Sequence, residues 1–195
     1  MKKLLVILST FLVLVSCSLK PDVEYNYDFN YSEADMSSYT DMKDVKETCF
    51  KKITASELYN CVENKGSGIF YLGYDTCPFC NKCIKYLNET ALDLGVTIYY
   101  IDAMNPEEPI IGDNDNIRKL TNFLMPILDE DKESSKKVIM TPHIFTVING
   151  EFFGSYVSLP YKLNGDVDFD NPPTARQIKK IKNIYKLLFE PFVEE

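Results

Sequence analysis

The apolar residues divide the chain into a leader, an acidic stretch and a regular remainder. Lys2 and Lys3 precede an apolar run from Leu4 to Val15 that only Ser9 and Thr10 interrupt. Twelve helical residues reach about 18 Å, short of the roughly 30 Å hydrocarbon thickness of a bilayer, so residues 1–16 predict an export signal rather than a membrane span. From Ser18 to about Asp44 the sequence is rich in Asp, Glu, Asn, Ser and Tyr without helical period, and residues 17–44 read as a flexible tether. A coil of that length reaches roughly 30 Å. Inside it Val23, Tyr25, Tyr27, Phe29 and Tyr31 alternate with polar residues. That is a strand's period, so an added edge strand or partner-binding segment is the competing expectation.

Residues 45–195 read as one domain. A short strand is expected at Thr48 to Thr54 and a helix at Ala55 to Asn64, capped by Ser56 and stopped by Lys65-Gly66-Ser67-Gly68. Ile69 to Tyr74 is nearly continuous apolar sequence, the mark of a strand buried on both faces. Cys80, Cys83, Ile84, Leu87, Ala91 and Leu94 then fall at helical spacing, closed by Gly95. Val96 to Asp102 is a further strand and Ile117 to Leu128 a further helix. Between residues 140 and 157, Asn149-Gly150 separates two aromatic-rich runs and predicts a hairpin with a type I′ turn. Thr174 to Phe189 is the last helix, with Ile178, Ile181, Tyr185, Leu188 and Phe189 on its inward face.

Composition narrows the function. The 195 residues are 45% apolar, enough for a core, and the formal net charge is -8. Nucleic acid is excluded as a natural partner, because phosphate binding needs an excess of Lys and Arg. Removing residues 1–16 leaves 19 basic against 29 acidic residues, or -10, so anionic lipid headgroups would repel the mature chain. Anchoring to a membrane would have to come from lipid chains.

The candidate chemistry lies in YDTCPFCNKCIKYL, residues 74–87. Pro78 follows Cys77, and proline suits the first position of a helix, so Cys77 is expected at the helix entrance. Free amides and the positive helix end favour a thiolate there and prepare Cys77 as a nucleophile. Cys80 lies within the first turn and can act as the resolving thiol, and C-x-x-C beside a strand, helix, strand pattern is a strong redox signal. Cys83 falls on the apolar stripe, which leaves a core cysteine or a third redox participant. A metal site would need a fourth ligand, and His143 is the only histidine, so no metal is expected.

Two resemblances extend this reading. Leu14-Val15-Ser16-Cys17 resembles the lipobox of bacterial lipoproteins, which implies cleavage before Cys17 and lipidation of its thiol. Cys77-Pro78-Phe79-Cys80 and, at a fitting distance, Thr141-Pro142 resemble the thioredoxin-like superfamily over about residues 45–190. The resemblance implies an α/β fold with a central mixed sheet of four to five strands flanked by helices. It also implies a cis Pro142, with Thr141, Pro142, Pro78 and Phe79 forming the substrate-binding surface beside Cys77. Within the superfamily the chain resembles lipid-anchored thioredoxin-like proteins of Gram-positive bacteria, including bacteriocin transport accessory proteins. It departs from thioredoxin six residues before the first cysteine, where Tyr71 replaces a buried aspartate. His143 beside Pro142 is a candidate auxiliary proton acceptor in its place.

The remaining features read more plainly. Cys49 and Cys61 are either a structural disulfide or two core thiols. Asp113-Asn114-Asp115-Asn116 and Asp166 to Asp170 lack the glycine and glutamate of calcium loops and read as solvated acidic loops. Asp129 to Lys137 reads as an exposed loop near the substrate groove. The function expected is that of a membrane-anchored extracytoplasmic thiol-disulfide oxidoreductase acting on exported proteins or peptides. It needs no cofactor beyond a redox-active Cys77–Cys80 disulfide and exchanges electrons with a redox partner at the membrane. The alternative is a non-catalytic accessory lipoprotein that holds peptides for an export machine.

Overall fold

A computed structural model describes residues 20–112, 115–131, 134–157 and 171–194. Residues 1–16, where the export signal is expected, lie outside the described residues, as do Cys17, Asp166 to Asp170, Asp113 and Asn114. The core of the molecule is a mixed sheet built from β1 (Ser32–Glu33), β2 (Phe50–Lys52), β3 (Gly68–Gly73), β4 (Ile98–Asp102), β7 (His143–Ile148) and β8 (Glu151–Val157), in the spatial order β1-β2-β4-β3-β7-β8. Every residue of β3 is buried, as its unbroken apolar run predicts for a central strand. It runs parallel to β4 and antiparallel to β7. At the edge, β8 alternates exposed and half-buried residues. Asn149 and Gly150 join β7 to β8 with φ of 52° and 81°, the left-handed pair a type I′ turn demands.

The helices cover both faces. On one face lie α2 (Pro78–Leu94) and α4 (Ala175–Phe189), contributing Ile84, Leu87, Ala91, Ile181, Tyr185 and Phe189 to one core. On the other lie α1 (Ala55–Glu63) and α3 (Asp115–Leu124), contributing Leu58, Cys61, Leu120 and Leu124 to a second core. This is the α/β arrangement expected from the sequence, a central mixed sheet flanked by helices. The α1 cap is Thr54 rather than Ser56: the Glu57 amide donates to Thr54 Oγ1 at 3.0 Å. Thr174 caps α4 in a reciprocal box with Gln177.

Three elements differ from expectation. The sheet has six strands rather than four or five, because β1 adds antiparallel to the outer edge of β2. The charged stretch after α3 is a small hairpin, β5 (Leu128–Glu130) with β6 (Lys137–Ile139), rather than an irregular loop. The largest difference concerns the tether. Residues 20–44 lie on the domain, with Ala34, Met36, Tyr39 and Met42 buried in the core on the α2 side. Burying Met36 and Met42 contributes roughly 1.5 to 3 kcal/mol each, which helps offset the entropy of ordering the segment.

Side chains from elsewhere hold this segment in place. The Glu24 amide donates to Asn149 Oδ1 at 3.0 Å, and Asn149 Nδ2 donates to the Asp22 carbonyl at 3.0 Å. Glu57 Oε1 accepts from the Tyr27 hydroxyl and the Asn30 amide, each at 2.8 Å. Further along, Asn81 Oδ1 accepts from the Thr40 amide at 2.6 Å, and beyond the segment Asn88 bridges the Cys49 amide and the Glu47 carbonyl at 3.0 Å each. Of the alternating stretch, residues 23–33, only Ser32 and Glu33 pair as an added edge strand, and Val23 to Tyr31 do not. Its odd positions still divide by side, with Phe29 stacked on Tyr99 while Tyr25 and Tyr31 stay exposed.

Candidate active site

The end of β3 and the start of α2 set the geometry of the cysteines. Cys77 is the N-cap of α2 in extended conformation, with Pro78 at the first helical position, and its Sγ accepts from the Cys80 amide at 3.3 Å. The Thr141–Pro142 peptide is cis, and it places Thr141 against the same sulfur. Thr141 Oγ1 lies 3.6 Å from Cys77 Sγ, and the Thr141 carbonyl lies 3.9 Å from it. Cys77, Cys80, Thr141 and Pro142 are therefore brought together, with Pro78 exposed and Phe79 half-buried at the rim. Met140 precedes Thr141 and is 50% exposed, an apolar rim residue that nothing in the sequence pattern marks.

Electrostatics separates the two thiols. Cys77 is pushed down to about 6, chiefly because the Cys80 thiol donates to its sulfur, with the Cys80 and Phe79 amides and the Thr141 hydroxyl adding to the effect against burial. The helix-end amides anticipated from the sequence contribute, but the neighbouring S–H dominates. Cys80 is driven strongly upward by the same pairing and by burial, so it holds its proton while Cys77 is ionised. At neutral pH the pair is one thiolate and one thiol, the arrangement that attack by Cys77 requires.

The positions around the pair are fixed by Asn81, whose Nδ2 donates to the Cys77 carbonyl at 3.1 Å and to the Asp75 carbonyl. With its Oδ1 holding Thr40, this one side chain ties the cysteine turn to the N-terminal segment. Sequence reasoning missed it because a polar residue four after Cys77 looks like an ordinary solvated helix position.

The other candidates fall elsewhere. Cys83 is wholly buried, its thiol donates to the Cys80 carbonyl at 3.5 Å, and burial pushes it up to about 12, the setting of a core thiol. His143 does not join the cysteines. In β7 it alternates with Ile144, which faces α2, so its ring lies on the opposite face beside Phe145 at 6.4 Å. Burial pushes it down to about 4, against weaker opposing effects of the Met140 backbone and Asp129, and neither ring nitrogen makes a hydrogen bond of full geometry among the described residues. Cys49 and Cys61 are free thiols in different cores on either side of the sheet, so they do not form a disulfide. Among the described residues no cluster of three or more His, Cys, Asp or Glu could hold a metal ion, and no helix is long and apolar enough to cross a membrane.

No protein-family model and no curated protein sequence matches the chain. Solved structures similar to it include oxidised thioredoxin O2 from Arabidopsis thaliana, at 14% identity and a TM-score of 0.40 over 73% of this chain and 96% of that one. A thioredoxin from Aeropyrum pernix matches at 17% identity and 0.35 over 74% and 99%. A putative oxidoreductase with a thioredoxin fold matches at 18% identity and 0.36 over 56% and 83%.

Proposed function

We propose that this protein is a thiol-disulfide oxidoreductase, held at the outer face of the cytoplasmic membrane by lipid on Cys17, that exchanges disulfides with exported proteins or peptides. The observation that carries the chemistry is the setting of Cys77 Sγ, capped by the Cys80 amide at 3.3 Å and faced by Thr141 at the cis peptide. The Cys77 thiolate attacks one sulfur of a substrate disulfide, forming a mixed disulfide as the electron pair leaves on the other substrate sulfur. Cys80, once it has lost its proton, attacks Cys77 Sγ and expels the remaining substrate sulfur as a thiolate. Two electrons thus pass from the protein dithiol to the substrate, and the same path in reverse oxidises a substrate dithiol. An extended substrate would lie along the Thr141 backbone, with Pro78, Phe79 and Met140 as its apolar surround. A redox partner protein at the membrane resets the pair.

Replacing Cys77 with serine tests the reading directly. Exchange on a disulfide peptide should fall to the uncatalysed background. Unchanged exchange would leave a peptide-holding scaffold as the better description. The anchor has its own test: Cys17→Ala should release the protein from membranes, and continued membrane partitioning would refute lipidation.

A further inference from the structure

The Tyr71 hydroxyl is wholly buried and makes no hydrogen bond of full distance and geometry among the described residues, Cys80 being a weaker neighbour that acts on it. An unpaired buried hydroxyl costs roughly 1 to 3 kcal/mol, and so calls for explanation. The fold makes room for it deliberately: a Cβ on Gly73 would collide with the hydroxyl, so the bare backbone two residues on is what admits it. Strand alternation turns Tyr71 toward α2, where the thiols of Cys80 and Cys83 and the Tyr39 hydroxyl are the groups that act on it. Tyr39 gives its own proton to the Tyr100 hydroxyl at 3.4 Å, so toward the Tyr71 O–H it is a neutral acceptor, whereas Cys80 Sγ becomes a charged one when the disulfide opens.

We propose that the Tyr71 O–H donates to Cys80 Sγ while that sulfur carries negative charge, so that it stabilises the transition state for opening and closing the Cys77–Cys80 disulfide. This rests on the exchange chemistry proposed above. When an external thiolate attacks Cys77 Sγ, a new S–S bond forms there, the Cys77–Cys80 bond breaks, and the electron pair departs on Cys80. That charge develops inside the buried cluster that also holds Tyr39 and Met42, where no Asp or Glu is buried among the described residues. Burial holds Tyr71 well above the ordinary phenol range, so the group stays neutral, donates a hydrogen bond and cannot serve as a base. Its presence lowers the Cys80 pKa, the direction expected of a donor to thiolate, and the Tyr74 amide acts in the same sense. Once the charge passes, Cys80 regains its proton from solvent and the hydroxyl is again without a full hydrogen bond.

The test compares wild type with Tyr71→Phe, each oxidised and mixed with dithiothreitol, following disulfide opening by acid quench and alkylation. A donor lost from a charged sulfur slows opening about tenfold. Because Cys80 ends protonated in both proteins, the redox equilibrium with dithiothreitol should shift less than about twofold, and the Cys77 titration should stay in place. Equal opening rates in the two proteins would overturn this inference alone. A slowed rate accompanied by a displaced Cys77 titration or a lower melting temperature would also overturn it, in favour of packing. A wild-type pair that dithiothreitol cannot open overturns both this inference and the exchange reading. Should Tyr71→Phe fail to fold, 3-fluorotyrosine at position 71 keeps the shape and strengthens the donor. It should accelerate opening, and an unchanged or slower rate would count against the proposal.

Discussion

The two faces of the sheet are built from the same kinds of residue but do different jobs. The α1/α3 face is packed with rings, Phe70, Phe145 and Phe152 stacking at centroid separations of 5.3 and 5.7 Å, with Cys61 as an inert thiol pushed up to about 12. The α2/α4 face is just as buried, yet it holds four cysteines and the hydroxyls of Tyr39, Tyr71, Tyr100 and Tyr185. The difference teaches that reactivity here comes from position rather than exposure. Cys77 is only 2% exposed, and what sets it apart from Cys83 is the helix end and the partners gathered there.

Mutations on each face should separate stability from reactivity. The largest effect is expected from Phe145→Ala, which empties the ring stack of the α1/α3 face and should cost about 3 to 5 kcal/mol in denaturant unfolding. The Cys77 titration should remain in place, and a displaced midpoint would mean that the faces are coupled. Next, iodoacetamide reactivity of the reduced protein should rise with pH to a plateau with a midpoint near 6 for Cys77, while Cys83 stays inert in the native state. A midpoint above 8 would remove the distinction.

That titration has a stability counterpart. Between about pH 6 and the ordinary thiol range near 9, the unfolded state binds a proton at Cys77 that the native state lacks, so the stabilisation from ionised Cys77 grows with pH across this window. It is complete above the window and lost as pH falls through about 6. Reduced wild type measured against Cys77→Ala should show this pH-dependent gap, whereas Cys83→Ala should shift stability equally at pH 6 and pH 8. A smaller change is expected from Thr141→Val, which removes a hydroxyl 3.6 Å from the sulfur and should raise the Cys77 midpoint by less than about one pH unit. Smallest of all, Glu33→Ala breaks an exposed ion pair with Lys51 and should alter stability by under about 0.5 kcal/mol.

The elements that were legible in the sequence are those whose signal is local. The β3 run, the Pro78 start and Gly95 stop of α2, and the Asn149-Gly150 turn each carry their own backbone chemistry. The N-terminal segment was less legible for the opposite reason. Its order depends on Asn81, Asn149 and Glu57, all distant in sequence, and its buried residues Ala34, Met36, Tyr39 and Met42 follow no single period. His143 was a plausible neighbour of the cysteines only along the chain, because alternation in β7 sends adjacent side chains to opposite faces. Tyr71 was noticed for the residue it replaces, but its poorly paired hydroxyl is a property of the packed state.

The clasp between Asp22, Glu24 and Asn149 also fixes where the polypeptide enters the body. Asn149 follows the last residue of β7, and Pro142 precedes the first, so entry and cysteine pair lie at opposite poles about 20 Å apart. From Cys17 to Lys20 the chain can span no more than about 11 Å. With acyl groups at Cys17, the domain would stand close against the bilayer rather than swing on a long leash, and Cys77 would look outward, toward what has already crossed.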